Sequence, residues 1–135
     1  LSHMETTASI THTVVHKHLQ AFLEQRGIDA IVADYADDAC FLAESGTYRG
    51  RCEISGFFER FMASLPAQAL ENFALRHLSV EGDVALIVWS VGQDLPLGTD
   101  TFVVRGDKIA RQTFAMHAAP VAQSGQALSH LLRGS

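Results

Sequence analysis

Apolar positions recur along this chain first at the spacing of a helix and later at that of a strand. Ile10, Val14, Leu19, Phe22 and Leu23 repeat at helical intervals, which predicts a helix over residues 8–26 stopped by Gly27. Asp29 is positioned to cap a short second helix holding Ile31, Val32 and Tyr35, which Asp37 and Asp38 break. Residues 39–44 read as a short apolar strand, closed by Ser45, Gly46 and Thr47. Ile54, Phe57, Phe58, Phe61, Met62 and Leu65 form a wide apolar stripe, predicting a third helix over 51–65 with Pro66 just beyond it. The pattern then alternates, predicting strands over 72–80, 84–92, 99–105 and 108–117, with turns at Glu81-Gly82-Asp83 and Arg105-Gly106-Asp107. A short helical turn is expected at Ser129–Leu132. Helices gathered early and strands late predict an α+β fold, with the helices on one face of a curved antiparallel sheet.

One residue breaks the alternation. Asp100 shares a strand face with Phe102 and Val104, both of which seek a dry side. A carboxylate there must find a partner, take up a proton or meet a ligand. The last hairpin has two registers. A two-residue turn sets Asp100 opposite Thr113, and a three-residue turn sets it opposite Gln112. The second strand decides between them: Ala110, Phe114 and Met116 share a face with Gln112, and that face is more apolar than the one holding Arg111, Thr113 and His117, so Asp100, Phe102, Gln112, Phe114 and Met116 are read as lining one concave surface. Asp100 is then either a pocket acid or an aspartate tied to Gln112 or a helix end. His18 lies one turn after Val14 and one turn before Phe22, within the apolar stripe of the first helix. It reads either as a satisfied core histidine or as the acid–base partner of Asp100.

Phe22, Phe58 and Phe61 complete the expected cavity wall, with Tyr35 and Tyr48 as packing or rim residues, one of them offering a hydroxyl to a ligand. Trp89 falls in a strand that is apolar on both faces, so one face is expected on the core and the other against a partner subunit. Glu44 ends the first strand and points to water or to a pocket rim. His12 and His16 stand four apart, but nothing completes a metal site at recognisable spacing, and no metal is expected. No phosphate-binding glycine loop, nucleophile elbow or CxxC motif occurs, so no organic cofactor is expected either.

Composition sets bounds. The chain has 135 residues, 47% of them hydrophobic, which suits one domain with a real core. Its net charge of -5, without a basic run, argues against nucleic acid and anionic membranes as partners. Leu1-Ser2-His3-Met4 reads as a cloning remnant ending in the initiator Met4, residues 5–119 as a single domain and 120–135 as a tail. With no secretory signal read at the start, Cys40 and Cys52 are expected as free thiols and the protein in the cytoplasm.

The order of elements, the run Ala33-Asp34-Tyr35-Ala36-Asp37-Asp38-Ala39 and the hairpin from Asp100 to Ile109 resemble the nuclear transport factor 2-like superfamily, closest to its SnoaL-like and ketosteroid-isomerase-like members. The likeness covers residues 10–117. It implies a cone-shaped sheet wrapped around the N-terminal helices, with a deep apolar pocket and a homodimer joined through the sheets. Asp100 matches the aspartate those isomerases hold in the oxyanion hole, a carboxylic acid kept neutral by its apolar surroundings. His18 falls at the position of their oxyanion-hole tyrosine. The general-base position matches Ala43, so the steroid-isomerase route is not expected unless a bulge turns Glu44 inward. SnoaL-like cyclases use a histidine and an aspartate, and His18 with Asp100 match those roles. The resemblance thus implies a cofactor-independent isomerase, cyclase or hydratase acting on an apolar carbonyl-bearing or polycyclic molecule, or a non-catalytic binding or assembly module on the same fold.

Overall fold

The computed structural model describes residues 6–119; the expected cloning remnant, the tail and the helical turn at Ser129–Leu132 lie outside the described residues. The first helix, α1 (Thr7–Leu23), is capped by Thr6, whose hydroxyl oxygen accepts the Ser9 amide at 3.0 Å. It buries Thr11, Val14, Val15, His18 and Ala21. Thr11 lies outside the apolar stripe legible in the sequence. Its hydroxyl lies 2.8 Å from the Gly82 carbonyl and 2.9 Å from that of Thr7, tying the helix to a strand turn.

The second helix, α2 (Ile28–Val32), is shorter than expected, and Tyr35 is not in it. Tyr35 opens β1 (Tyr35–Ala43). It is wholly buried, and Arg51 Nε donates to its carbonyl at 2.8 Å. Asp37 and Asp38 therefore do not break a helix; they sit in this strand with exposed side chains, Asp37 3.2 Å from Arg51. A hairpin at Glu44-Ser45 leads to β2 (Gly46–Arg49), a strand where the sequence pattern suggests only a closing turn. Then come α3 (Gly50–Ser64) and a 3₁₀ turn at Ala69–Asn72. A meander of β3 (Phe73–Glu81), β4 (Val84–Val91), β5 (Leu95–Arg105) and β6 (Lys108–His117) completes the domain.

The six strands form one sheet in the order β2-β1-β6-β5-β4-β3. It is mixed rather than wholly antiparallel, because β1 runs parallel to β6. The crossover through α3 and the meander makes that pairing reachable. The ladders joining β1 to β6, β3 to β4, β4 to β5 and β5 to β6 each contain a register break. Bulges of this kind bend a sheet, and this one curves around the helices without closing. Val15, Ile31, Phe41, Ile54, Ile87, Phe102 and Ile109 fill the space between. The architecture is the α+β cone the sequence implied.

The last hairpin corrects both expected registers. Gly106 and Asp107 form a two-residue turn, with Arg105 opposite Lys108. A bulge between Val103 and Val104 on the ladder then shifts the pairing by one, so Asp100 faces Phe114 rather than Thr113 or Gln112. The bulge sits where Ile109 and Ala110 are both buried, which strict alternation forbids. Gln112 nevertheless lies on the inner face, directly opposite Phe102 and diagonal to Asp100.

Candidate functional site

Asp100 projects from the concave face of β5 and is 7% exposed. Its neighbours on β4 and β6 decide its chemistry. Trp89 Nε1 donates to Oδ1 at 2.6 Å and Gln112 Nε2 donates to Oδ2 at 2.8 Å. Burial pushes its pKa up to about 6, while the Trp89 and Gln112 hydrogen bonds and the nearby His18 restrain the rise. Trp89 is thus more than packing, and it belongs to the inner face of the sheet rather than the outer one. Its ring lies on the inner face with Ala85 and Ile87, stacked between Phe73 and Phe114. Gly98 lies opposite it, and a β-carbon there would fall inside the space of the indole ring.

His18 is 4% exposed and does not touch Asp100 directly. Two side chains connect them. Tyr35 donates its hydroxyl hydrogen to Gln112 Oε1, and the same hydroxyl lies 3.4 Å from His18 Nε2. Burial holds the Tyr35 phenol well above its ordinary range, reinforced by the negative charges of Asp100 and Asp34, so it stays a donor. On the far side of the imidazole, Asp34 Oδ2 stands 3.8 Å from His18 Nδ1. Both of these atoms are buried without a hydrogen-bond partner. Lys17 reaches the other Asp34 oxygen at 3.4 Å from the surface. Burial raises the Asp34 pKa, but His18 and then Lys17 outweigh it and hold the carboxyl below its ordinary value. A polar string therefore crosses the core from Lys17 through Asp34, His18, Tyr35, Gln112 and Asp100 to Trp89.

A cavity of about 50 Å³ opens between His18 and Asp100. Phe22, Phe58, Phe61, Phe102, Gln112 and Phe114 line it, as the sequence pattern grouped them, together with Phe41, Phe57 and Trp89, which that pattern did not assign to the cavity wall. Tyr35 meets the site through its hydroxyl rather than as a wall, and Met116 lines a neighbouring groove instead. The cavity has room for a few waters and is far below the roughly 300–1,000 Å³ of pockets for drug-sized ligands.

Asp34 is the main site residue that sequence reasoning misses. It stands in view within the run Ala33–Ala39, but only the tertiary fold brings it to His18. An Asp34→Asn substitution is expected to release the orientation of the imidazole. Ring-nitrogen NMR of His18 is expected to show the Nδ1–H tautomer depleted relative to wild type; an unchanged tautomer balance would remove Asp34 from the site.

His12 and His16 stack on the exposed side of α1 with ring centroids 6.3 Å apart, and no cluster able to hold a metal is found among the described residues. Ala43 offers only a methyl at the position matched to the isomerases' base. The bulge on β1 lies between Tyr35 and Cys40, well before Glu44, which is exposed. Cys40 and Cys52 are free thiols. No helix among the described residues is long and apolar enough to cross a membrane.

A family profile for the SnoaL-like domain matches residues 15–112, from Val15 midway along α1 to Gln112 in β6. The chain belongs to the SnoaL-like domain family. Solved structures agree on the fold. A nuclear transport factor 2-like protein of unknown function from Burkholderia xenovorans is 21% identical, with a TM-score of 0.65 over 89% of this chain and 91% of that one. A provisionally named polyketide cyclase from Sinorhizobium meliloti is 20% identical, with a TM-score of 0.62 over 76% and 93%. A provisionally named ketosteroid isomerase from Kribbella flavida is 19% identical, with a TM-score of 0.62 over 90% and 87%. At these identities the likeness speaks for the fold alone. No curated protein matches the sequence significantly.

Proposed function

We propose that this SnoaL-like protein is a cofactor-independent acid–base enzyme acting on an apolar, carbonyl-bearing small molecule. The observation that carries the reading is Asp100 itself. It is a buried carboxyl at the wall of an aromatic cavity, with a pKa of about 6 and no cation among the described residues paired to it. A group titrating there can both give and take a proton near neutrality. Asp100 donates to the carbonyl oxygen as His18 accepts a proton from the adjacent carbon, forming an enol; return of a proton at another carbon isomerises the product, whereas attack of the enol carbon on a second carbonyl of the substrate, whose oxygen takes up the proton, closes a ring. His18 is suited to this by the string behind it. Asp34 faces Nδ1, and the Tyr35 proton goes to Gln112, so the Nε2 lone pair is only loosely engaged. The names of the cyclase and isomerase neighbours are consistent with enol chemistry.

A simple ketone tests the reading. Cyclopentanone, small enough for the cavity, in deuterated water is expected to lose its α-proton NMR signals faster with the protein than in buffer. The acceleration should fall as pH rises through about 6, because the active form of Asp100 is the protonated one. A rate that instead climbs through that pH would make Asp100 a base. Binding without any exchange would favour the rival reading, a non-catalytic binding module, which is supported by the missing base at Ala43.

A homodimer through the sheet belongs to the same proposal. On β4, Val84, Leu86 and Val88 alternate with the core-facing Ala85, Ile87 and Trp89. Leu42 and Leu97 are 46% and 50% exposed. Sedimentation equilibrium is expected to give twice the chain mass, and Leu86→Glu to give the monomer. A wild-type monomer at micromolar concentration would end the dimer reading.

A further inference from the structure

The cavity beside Asp100 is too small for a whole bicyclic or polycyclic ligand, yet a second space adjoins it. An open groove of about 360 Å³ lies beyond Phe57, Phe61 and Phe114, and these three rings line both spaces. They pack ring on ring. Phe57 and Phe61 stack at 5.9 Å, and Phe114 meets them edge-on at 5.5 Å and 5.4 Å. The partition is therefore made of side chains alone. Phe61 and Phe114 are only half-buried, so side-chain torsions are the degrees of freedom by which it would open.

The groove differs in character from the inner cavity. Its floor is apolar, with Ala43 and Met116 joining the rings, but its rim carries Glu44, Ser45, Tyr48 and Arg60. The Arg60 guanidinium lies 5.6 Å from the centroid of the Tyr48 ring, a geometry that steadies the cation. The Tyr48 hydroxyl is 2.7 Å from Ser45 Oγ. That hydroxyl is held below its ordinary pKa by Ser45 and then by Arg60. Arg60 makes no ion pair with Glu44 or with any other carboxylate among the described residues. Among the described residues it is also the only Lys or Arg lining either space.

We propose that the cavity and the groove form one two-chamber ligand site for an amphipathic carbonyl compound ending in a carboxylate. The inner chamber takes the carbonyl head beside Asp100. The apolar body replaces the Phe61–Phe114 contact, and the carboxylate at the far end is received by Arg60 and the Tyr48 hydroxyl. The planar guanidinium suits a carboxylate better than a point charge would. The proposal deepens the acid–base reading above and rests on it for the carbonyl head only.

Two probes separate the parts: an acetylnaphthoate, which carries both a ketone and a carboxylate, and acetonaphthone, the same ketone without the acid. Trp89 is the single tryptophan, so its indole N–H resonance reports on the inner chamber. At low salt the acid is expected to bind about three- to tenfold more tightly than the neutral ketone, a modest gain because Arg60 is exposed. Arg60→Gln is expected to erase that difference while leaving acetonaphthone binding unchanged, and both probes should shift the Trp89 resonance. Equal affinities in wild type, an acid preference indifferent to Arg60→Gln, or no binding by either probe would overturn the two-chamber site. Arg60-dependent binding of the acid with Trp89 unmoved would retain the groove as an anion site and remove the inner chamber, and with it the carbonyl role of Asp100.

Discussion

Asp100→Asn is expected to abolish most of any proton-transfer activity, by about 10²–10⁴-fold, while leaving the fold intact. The fold should survive because the amide satisfies the same neighbours. Its oxygen accepts from Trp89 Nε1, and its NH₂ donates to Gln112 once the Gln112 amide turns over, after which Gln112 donates to the Tyr35 oxygen. Activity goes because an amide has no proton to give at neutral pH. The same substitution carries a signature in stability. The pKa of Asp100 is raised from 3.8 to about 6 on folding, so the folded state holds this proton more tightly than the unfolded chain. The resulting stabilisation is full below the unfolded pKa and is lost as pH rises through the folded one. From about pH 4.5 to about pH 7.5 the wild type should lose roughly 2 kcal/mol from this group, at about 1.4 kcal/mol per pKa unit. Urea melts at the two pH values should show that loss in the wild type and its absence in Asp100→Asn. An asparagine variant with the wild-type exchange rate would remove Asp100 from the chemistry. An unchanged slope of stability with pH would mean that its carboxyl is not buried as described.

Gly98→Ala is expected to be the most damaging small substitution, although glycine here has no unusual backbone angle to supply. The reason is steric. The new methyl group would overlap the Trp89 indole, which is itself wedged between Phe73 and Phe114 and bonded to Asp100. The ring must move, which forfeits packing and a hydrogen bond to a buried carboxylate. Overpacking costs about 1–3 kcal/mol and a hydrogen bond to a charged group contributes about 1.5–3, so a loss of about 3 kcal/mol is expected. The urea midpoint should fall, and the Trp89 emission should shift to the red. Freed from its indole donor, Asp100 should titrate higher still, carrying the alkaline limb of activity upward. The double variant with Trp89→Phe separates the causes, because the smaller ring leaves room for the methyl. Its added cost from Gly98→Ala should be small. Unchanged stability and emission in the single variant would refute the indole clamp.

The helices at 8–26 and 51–65, the meander and the inward face of the last hairpin were legible in the sequence. Each rests on a local period, since a helix or strand must turn its apolar positions toward one side. The same logic exposed Asp100 and His18, two polar residues on apolar stripes, and gathered most of the aromatic wall around them. Local period could not place Tyr35, because a residue at a helix end and one at a strand start look alike when both are buried. Nor could it find the parallel pairing of β1 with β6, which joins residues some seventy positions apart in sequence. The hairpin register turned on a single bulge, and strict alternation carries no trace of one.

The chain's pattern of apolar and polar side chains thus determined by itself which surfaces had to be buried, and that a carboxylate and an imidazole would be buried with them. Only the tertiary structure decided what those two groups touch. The adjacent Asp34 and Tyr35 meet Trp89 and Gln112 from separate parts of the chain, and Gly98 matters solely because an indole crosses it from the neighbouring strand. Burial follows from the free energy gained by the apolar positions of one face on leaving water, which carries a polar residue on that face in with them, and the period of those positions is local. Hydrogen-bond partners and cavity shape depend on where separate strands bulge and cross, and they exist only once the sheet has curved around its helices.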